Sequence, residues 1–284
     1  MDNPAQQKFP PIRVWVFLLI AAGCLSVWIY FTEKSNRLIE NNNKETYISN
    51  RFGSAHGRPV ILVIGTSLVE AGLCSCDSIS HCLQETSGQN ICVIKFWKPA
   101  ATLSSIKNDL PLLQQVKPSL VVIEANMLFY RGVDEPFLSR YMQTFRDMLA
   151  FKNFRRPYNP DILHVFPPMG NLSIDDIRAG LMDTTDLASF RDLAASWQSK
   201  GTRFLLVNFP IEAALEKRKW NSPDTLSFYR NLNFLKQKIS LEYEGDHHNL
   251  NSSYFFDDAH LNAKGNNFFS AFFCRSVASQ IKKR

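Results

Sequence analysis

Apolar residues fall along the chain in two rhythms. Apolar runs occupy 59–65, 90–96, 119–126 and 203–209. Three of the four are rich in Val, Ile or Leu and alternate little, the pattern of buried strands in a parallel sheet covered on both faces. Between and after them the spacing lengthens to that of a helix. Leu103, Ile106, Leu110 and Leu113 share one face of a helix predicted over 103–115. Phe137, Tyr141, Phe145, Met148 and Leu149 do so over 136–151. Further helices are predicted over 187–199 and 226–239. A last one from about Ala263 aligns Phe269, Phe273, Val277 and Ile281 in a stripe that reads as core. Strands alternating with helices predict a doubly wound, flavodoxin-like α/β domain with a mostly parallel sheet and helices on both faces. The stretch 152–185 breaks the rhythm and reads as an insertion or lid.

A third pattern stands at the N-terminus. From Val14 to Phe31 no charge interrupts the apolar run, near the lower length limit for a membrane-spanning helix. Trp15, Trp28 and Tyr30 lie towards its ends, where amphipathic rings favour the membrane interface. A cleaved signal peptide and a lipid-modified Cys24 are rival readings. No clean small-x-small site follows the run, however, and apolar sequence continues past Cys24. The reading is an uncleaved anchor over 14–31, after a cytoplasmic segment 1–13. Residues 32–57, polar and rich in Asn, Ser and Lys, follow as a linker with about one helical turn. The body then covers 58–284. A slight excess of Lys and Arg on the first side places that body outside the cytoplasm.

Apolar residues make up 45% of the 284 positions, enough for a sizeable core. The 32 Lys and Arg against 26 Asp and Glu leave a net charge of +6. The runs Lys217-Arg218-Lys219 and Lys282-Lys283-Arg284 read as solvated surface, and no aromatic-basic pattern points to nucleic acid. Cys74, Cys76, Cys82 and Cys92 cluster without the spacing of a zinc site, so disulfides within 74–92 are expected, with their pairing open. Cys274 reads as a core residue.

Candidate chemistry begins in "VILVIGTSLVEAG", residues 60–72, where a buried strand stops on Gly65-Thr66-Ser67. In a parallel sheet ligands bind beyond the carboxyl ends of the strands, where Ser67 and Asn126 fall. A serine hydroxyl needs a base, and the base needs an orienting acid. "YFFDDAHLNAKG" supplies both: Asp257 can meet Nδ1–H of His260 across a turn while Nε2 stays free. Ser67 could instead cap the following helix, and Asp258 is a weaker candidate for the acid. Oxyanion donors would be the Ser67 backbone N–H, the Asn126 amide and a backbone N–H near Ala100. His247, His248 and His164 read as loop or packing residues rather than ligands. The set calls for no cofactor and no metal.

In order and type these pieces resemble the SGNH hydrolase superfamily, also called GDSL-like. "IGTSLVEAG" resembles its first block, with Thr66 in place of the usual Asp. "KPAAT" resembles the second, with Ala100 at the usual glycine. "IEANM" resembles the third, keeping Asn126 but replacing Gly by Glu124 and Asp by Met127. "DDAHLNAKG" resembles the last, with Asp257 and His260 in place. The resemblance implies a serine esterase or O-acyltransferase working through an acyl-Ser67 intermediate. For a membrane-anchored extracytoplasmic member it implies acyl groups of envelope polysaccharide as substrate, with a membrane acyltransferase as a candidate partner. Glu124 and Ala100 also admit an inactive module that binds a glycan or such an acyltransferase.

Overall fold

The computed structural model describes residues 11–98, 102–103, 106–129, 145–146, 184–185, 187–246 and 248–283. Five parallel strands form one sheet: β1 (Val60–Gly65), β2 (Cys92–Trp97), β3 (Leu120–Glu124), β4 (Arg203–Val207) and β5 (Leu241–Glu244). Their order is β2-β1-β3-β4-β5, the flavodoxin-like arrangement. The register is continuous, with Ile64 opposite Phe96 and Ile123 and Glu124 opposite Val207. Alternate residues of each strand face opposite layers. Leu62, Ile64, Ile94, Val121 and Leu206 pack with one set of helices, and Ile61, Val63, Val93, Val122 and Leu205 with another. This double coverage is why the strand runs carry no polar alternation.

The eight helices among the described residues are α1 (Ile12–Gly53), α2 (Ser67–Gly72), α3 (Cys76–Ser87), α4 (Leu110–Leu113), α5 (Ala188–Gln198), α6 (Ala213–Trp220), α7 (Asp224–Lys236) and α8 (Ala263–Lys282). Phe190, Trp197, Phe228 and Leu232 of α5 and α7 fill one layer. Ile79, Leu83, Phe269, Phe273 and Val277 of α3 and α8 fill the other. The chain divides into two units: residues 1–44 with 135–158, and residues 45–134 with 159–284. In the first, the segment Ile12–Thr32 of α1 has a mean hydropathy of 2.2 and is long and apolar enough to cross a membrane. The second holds the sheet.

Several expectations are corrected. The helix over 103–115 is a 3₁₀ turn at Lys107–Asp109 followed by the short α4. Pro111 can stand only in a first helical turn, so the helix starts late, although the stripe Leu103, Ile106, Leu110, Leu113 is buried. Residues 32–53, expected as linker, continue α1, and Ile48 in its last turns packs into the core of the second unit. Strand β5, helix α3 and helix α6 were not expected. The helix over 136–151 lies outside the described residues apart from the helical pair Phe145–Arg146. The stretch 152–185 lies outside them apart from Thr184 and Thr185.

The cysteines also pair differently. Cys82 is bonded to Cys274, with Cα atoms 6.2 Å apart, and Cys74, Cys76 and Cys92 are free thiols. Helix α3 explains this. It turns Cys76 inward, where the thiol meets Tyr47 Oη at 3.2 Å, and turns Cys82 towards α8. Cys74 donates its S–H to Asn266 Oδ1 at 2.8 Å, and Cys92 is held in β2. Close spacing in sequence therefore leaves these thiols on different faces.

Candidate active site

The turn after β1 is built to present Ser67. Gly65 ends the strand where a Cβ would lie 2.1 Å from Val69 Cγ2 and 2.7 Å from Glu124 Oε2, so only glycine fits. Thr66 caps α2: its extended backbone places Oγ1 to accept the Leu68 N–H at 3.1 Å. The capping role considered for Ser67 thus belongs to Thr66. Ser67 stands in the first turn of α2, half-buried, where a backbone N–H has no acceptor within the helix.

A second turn delivers the acid and the base. Asp257 Oδ1 accepts the backbone N–H groups of Ala259 at 2.9 Å and His260 at 2.7 Å. The Phe256 N–H donates to His260 O at 2.8 Å and closes the turn. Asn262 then caps α8, accepting from Lys264 N at 3.0 Å and Gly265 N at 3.1 Å. Within this frame His260 Nδ1 lies 2.9 Å from Asp257 Oδ2 and 3.0 Å from Oδ1. Its Nε2 lies 2.9 Å from Ser67 Oγ. Both links are at hydrogen-bond length, and the one to Ser67 spans a sequence separation of 193 residues. The His260 residue is only 7% exposed. Burial pushes the Asp257 carboxyl up, but the His260 ring, the backbone bonds from His260 and Ala259 and the imidazole's charge outweigh it. The carboxyl is held at about 2. Asp258 makes no bond to the ring; its carbonyl accepts the Glu212 N–H.

Glu124, two residues before Asn126 in sequence, is paired. It is fully buried beneath the serine turn, accepting the Thr66 N–H at 2.7 Å on Oε2 and the Thr66 hydroxyl at 2.8–2.9 Å. Burial pushes its pKa up. The two Thr66 bonds, the nearby Asn126 amide (short of hydrogen-bond geometry) and the Lys219 charge pull it partly back. Asn126 lies in the 3₁₀ turn Ala125–Leu128 directly after β3. Its Oδ1 accepts from Lys219 Nζ, and its Nδ2 is buried without a hydrogen bond among the described residues. Ala100, His164 and His247 lie outside the described residues. His248 packs edge-on against Phe269 and Phe272, with Nε2 3.2 Å from Asn208 O.

Lys219 was missed by sequence reasoning, which took its run for solvated surface. Its ammonium is buried over the Phe129 ring, 4.1 Å from the centroid. Nothing in the sequence sets Lys219 apart from Lys217 and Arg218 beside it.

A serine, an imidazole and a carboxylate in hydrogen-bonded series at the carboxyl ends of parallel strands have the geometry of a Ser–His–Asp triad. No family model matches the sequence, and no curated protein matches it. Among solved structures the chain is similar to TesA, with 14% identity over 77% of this chain and 99% of that one, at a TM-score of 0.41. It is similar to Axe2, an acetylxylan esterase from Geobacillus stearothermophilus, with 15% identity over 78% and 94% and a TM-score of 0.45. It is similar also to the psychrotrophic esterase EstA from Pseudoalteromonas sp., with 15% identity over 78% and 98% and a TM-score of 0.45.

Proposed function

We propose that the protein is a membrane-tethered serine ester hydrolase or O-acyltransferase of the SGNH type, working outside the cytoplasm. The observation that carries this reading is the unbroken series Ser67 Oγ, His260 Nε2, His260 Nδ1, Asp257 Oδ2, with 2.9 Å at each of its two hydrogen bonds. In the first step Ser67 Oγ adds to the ester carbonyl carbon and its proton passes to His260 Nε2. Asp257, ionised at neutral pH, stabilises the imidazolium. The carbonyl oxygen becomes negative and takes hydrogen bonds from the Ser67 backbone N–H and Asn126 Nδ2. As the C–O bond breaks, His260 returns the proton to the departing alkoxide, leaving acyl-Ser67. Water or a sugar hydroxyl then adds, with His260 again as base, and releases the free acid or a new ester.

The buried position of Glu124 favours an active site over a silent one, because its carboxyl is bonded to the Thr66 N–H and hydroxyl beneath the serine turn. The substrate class, acyl groups on envelope polysaccharide, follows from the sequence resemblance and the apolar helix. The Cys82–Cys274 bond supports an oxidising compartment. A fluorophosphonate probe tests the chemistry. It is expected to label Ser67 in the full chain, Ser67→Ala is expected to abolish labelling, and Asp257→Asn is expected to slow turnover on the order of 10⁴-fold. A well-folded chain that takes no label would overturn the enzymatic reading. Release of free acid against transfer to an added oligosaccharide separates hydrolase from transferase.

A further inference from the structure

Lys219 carries an inference that rests on the acyl-serine reading and deepens it. The residue belongs to α6 and is only 9% exposed, although the cations Lys217 and Arg218 precede it. Its ammonium lies 4.1 Å from the centroid of Phe129 and 5.4 Å from that of Trp220, and it donates to Asn126 Oδ1. A carboxamide has an acceptor end and a donor end of nearly the same shape, exchanged by a half-turn of its last torsion. An ammonium has donors only, so it accepts one of those two states and rejects the other. The state it accepts leaves Asn126 Nδ2 as the other end, buried near the Glu124 carboxyl but short of hydrogen-bond geometry and without a hydrogen bond among the described residues. A buried donor with no partner is costly, and a ligand oxygen that develops negative charge would satisfy it.

We propose that Lys219 is a positioning residue for the oxyanion, locking the Asn126 amide so that Nδ2–H2 rather than Oδ1 faces the oxygen made negative by Ser67 attack. The reversed amide would present a carbonyl dipole to that charge and raise the barrier. Lys219, whose charge also acts on Glu124, reaches the reacting oxygen through Asn126 and does not itself touch the reacting atoms.

A double-mutant cycle on the full chain in detergent, with p-nitrophenyl acetate as substrate, tests this. Lys219→Met is expected to lower kcat on the order of 10²-fold, the scale of one lost oxyanion donor. KM should change by less than about twofold, because the lost interaction belongs to the transition state. Lys219→Arg, which keeps donors at the site, is expected to recover most of the rate. In an Asn126→Ala background Lys219→Met should cost nothing further. An equal loss in both backgrounds, or a loss confined to KM, would overturn the proposal. Should Lys219→Met fail to fold, Lys219→Gln carries the same cycle. If the wild-type chain neither turns over nor takes a fluorophosphonate label, the hydrolase reading fails on its own account. The link between Lys219 and Asn126 is then read from the side-chain amide resonances of Asn126 in ¹⁵N spectra. A shift on Lys219→Met sustains it, and unchanged resonances overturn it.

Discussion

Glu124 shows how strand register decides what one side chain does. Beside Asn126 it looks like a charge in the wrong place, yet the register of β1 against β3 turns it under the serine loop. There it satisfies a backbone N–H that would otherwise be buried without a partner, and it fixes the cap residue Thr66. Glu124→Ala should therefore destabilise the fold by about 1–3 kcal/mol through the orphaned Thr66 N–H. Glu124→Gln keeps an acceptor and discards the titration. Burial raises the Glu124 pKa above its ordinary 4.5, so the folded chain holds this proton to higher pH than the unfolded chain does. Stability contributed below 4.5 is then lost as pH rises through the folded pKa. The gain in urea midpoint of Glu124→Gln over wild type should grow as pH rises from 4.5 to neutrality. A gain that is flat or shrinks with pH would mean that the carboxyl is not held as described.

At the scale of elements, the last turns of α1 behave as part of the body rather than as a tether. Ile48 is 1% exposed within the core. Arg51 pairs with Asp77 at 2.6 Å and donates to Val93 O at 3.2 Å, joining the helix to α3 and β2. A chain beginning at Glu45 should keep its stability, whereas one beginning at Arg58 should lose at least about 2 kcal/mol from the burial of Ile48 alone. Urea midpoints followed by circular dichroism check this, and equal midpoints would return the segment to the status of linker. Elements whose signal is local were legible in the sequence. Four strands were read from apolar runs, and α8 from its Phe269–Phe273–Val277–Ile281 stripe. Helix α1 beyond Thr32 was not, because a polar stretch with one well-placed isoleucine carries little periodicity. Strand β5 was not, because "LEYE" is short and alternates, as suits a sheet edge with one partner.

At the scale of the whole molecule, two contacts across the length of the sequence organise the fold, and sequence reading met them unequally. The Ser67–His260 pairing was legible because both partners sit in turns whose chemistry is unusual, and because their order along the chain resembles a known set. Cys82–Cys274, with a sequence separation of 192, was not. Nothing near Cys274 marks it beyond its place in an apolar stripe, and the three other thiols near Cys82 drew the pairing inward. That bond closes α3 of the first half onto α8 of the last, and it restricts the unfolded chain over most of its length. Titration of the denatured, unreduced chain should find four reactive thiols, Cys24, Cys74, Cys76 and Cys92, and six after reduction. Reduction of the folded chain should cost about 2–5 kcal/mol of stability. The measurement also bears on location, because such a bond persists outside the cytoplasm and is reduced within it. Six reactive thiols in protein isolated from its native source, before any reductant is added, would remove the chemical support for the proposed placement of the body in an oxidising compartment. Four would supply a reason, independent of the charge flanking the apolar helix, to place Ser67 on the far side of the bilayer.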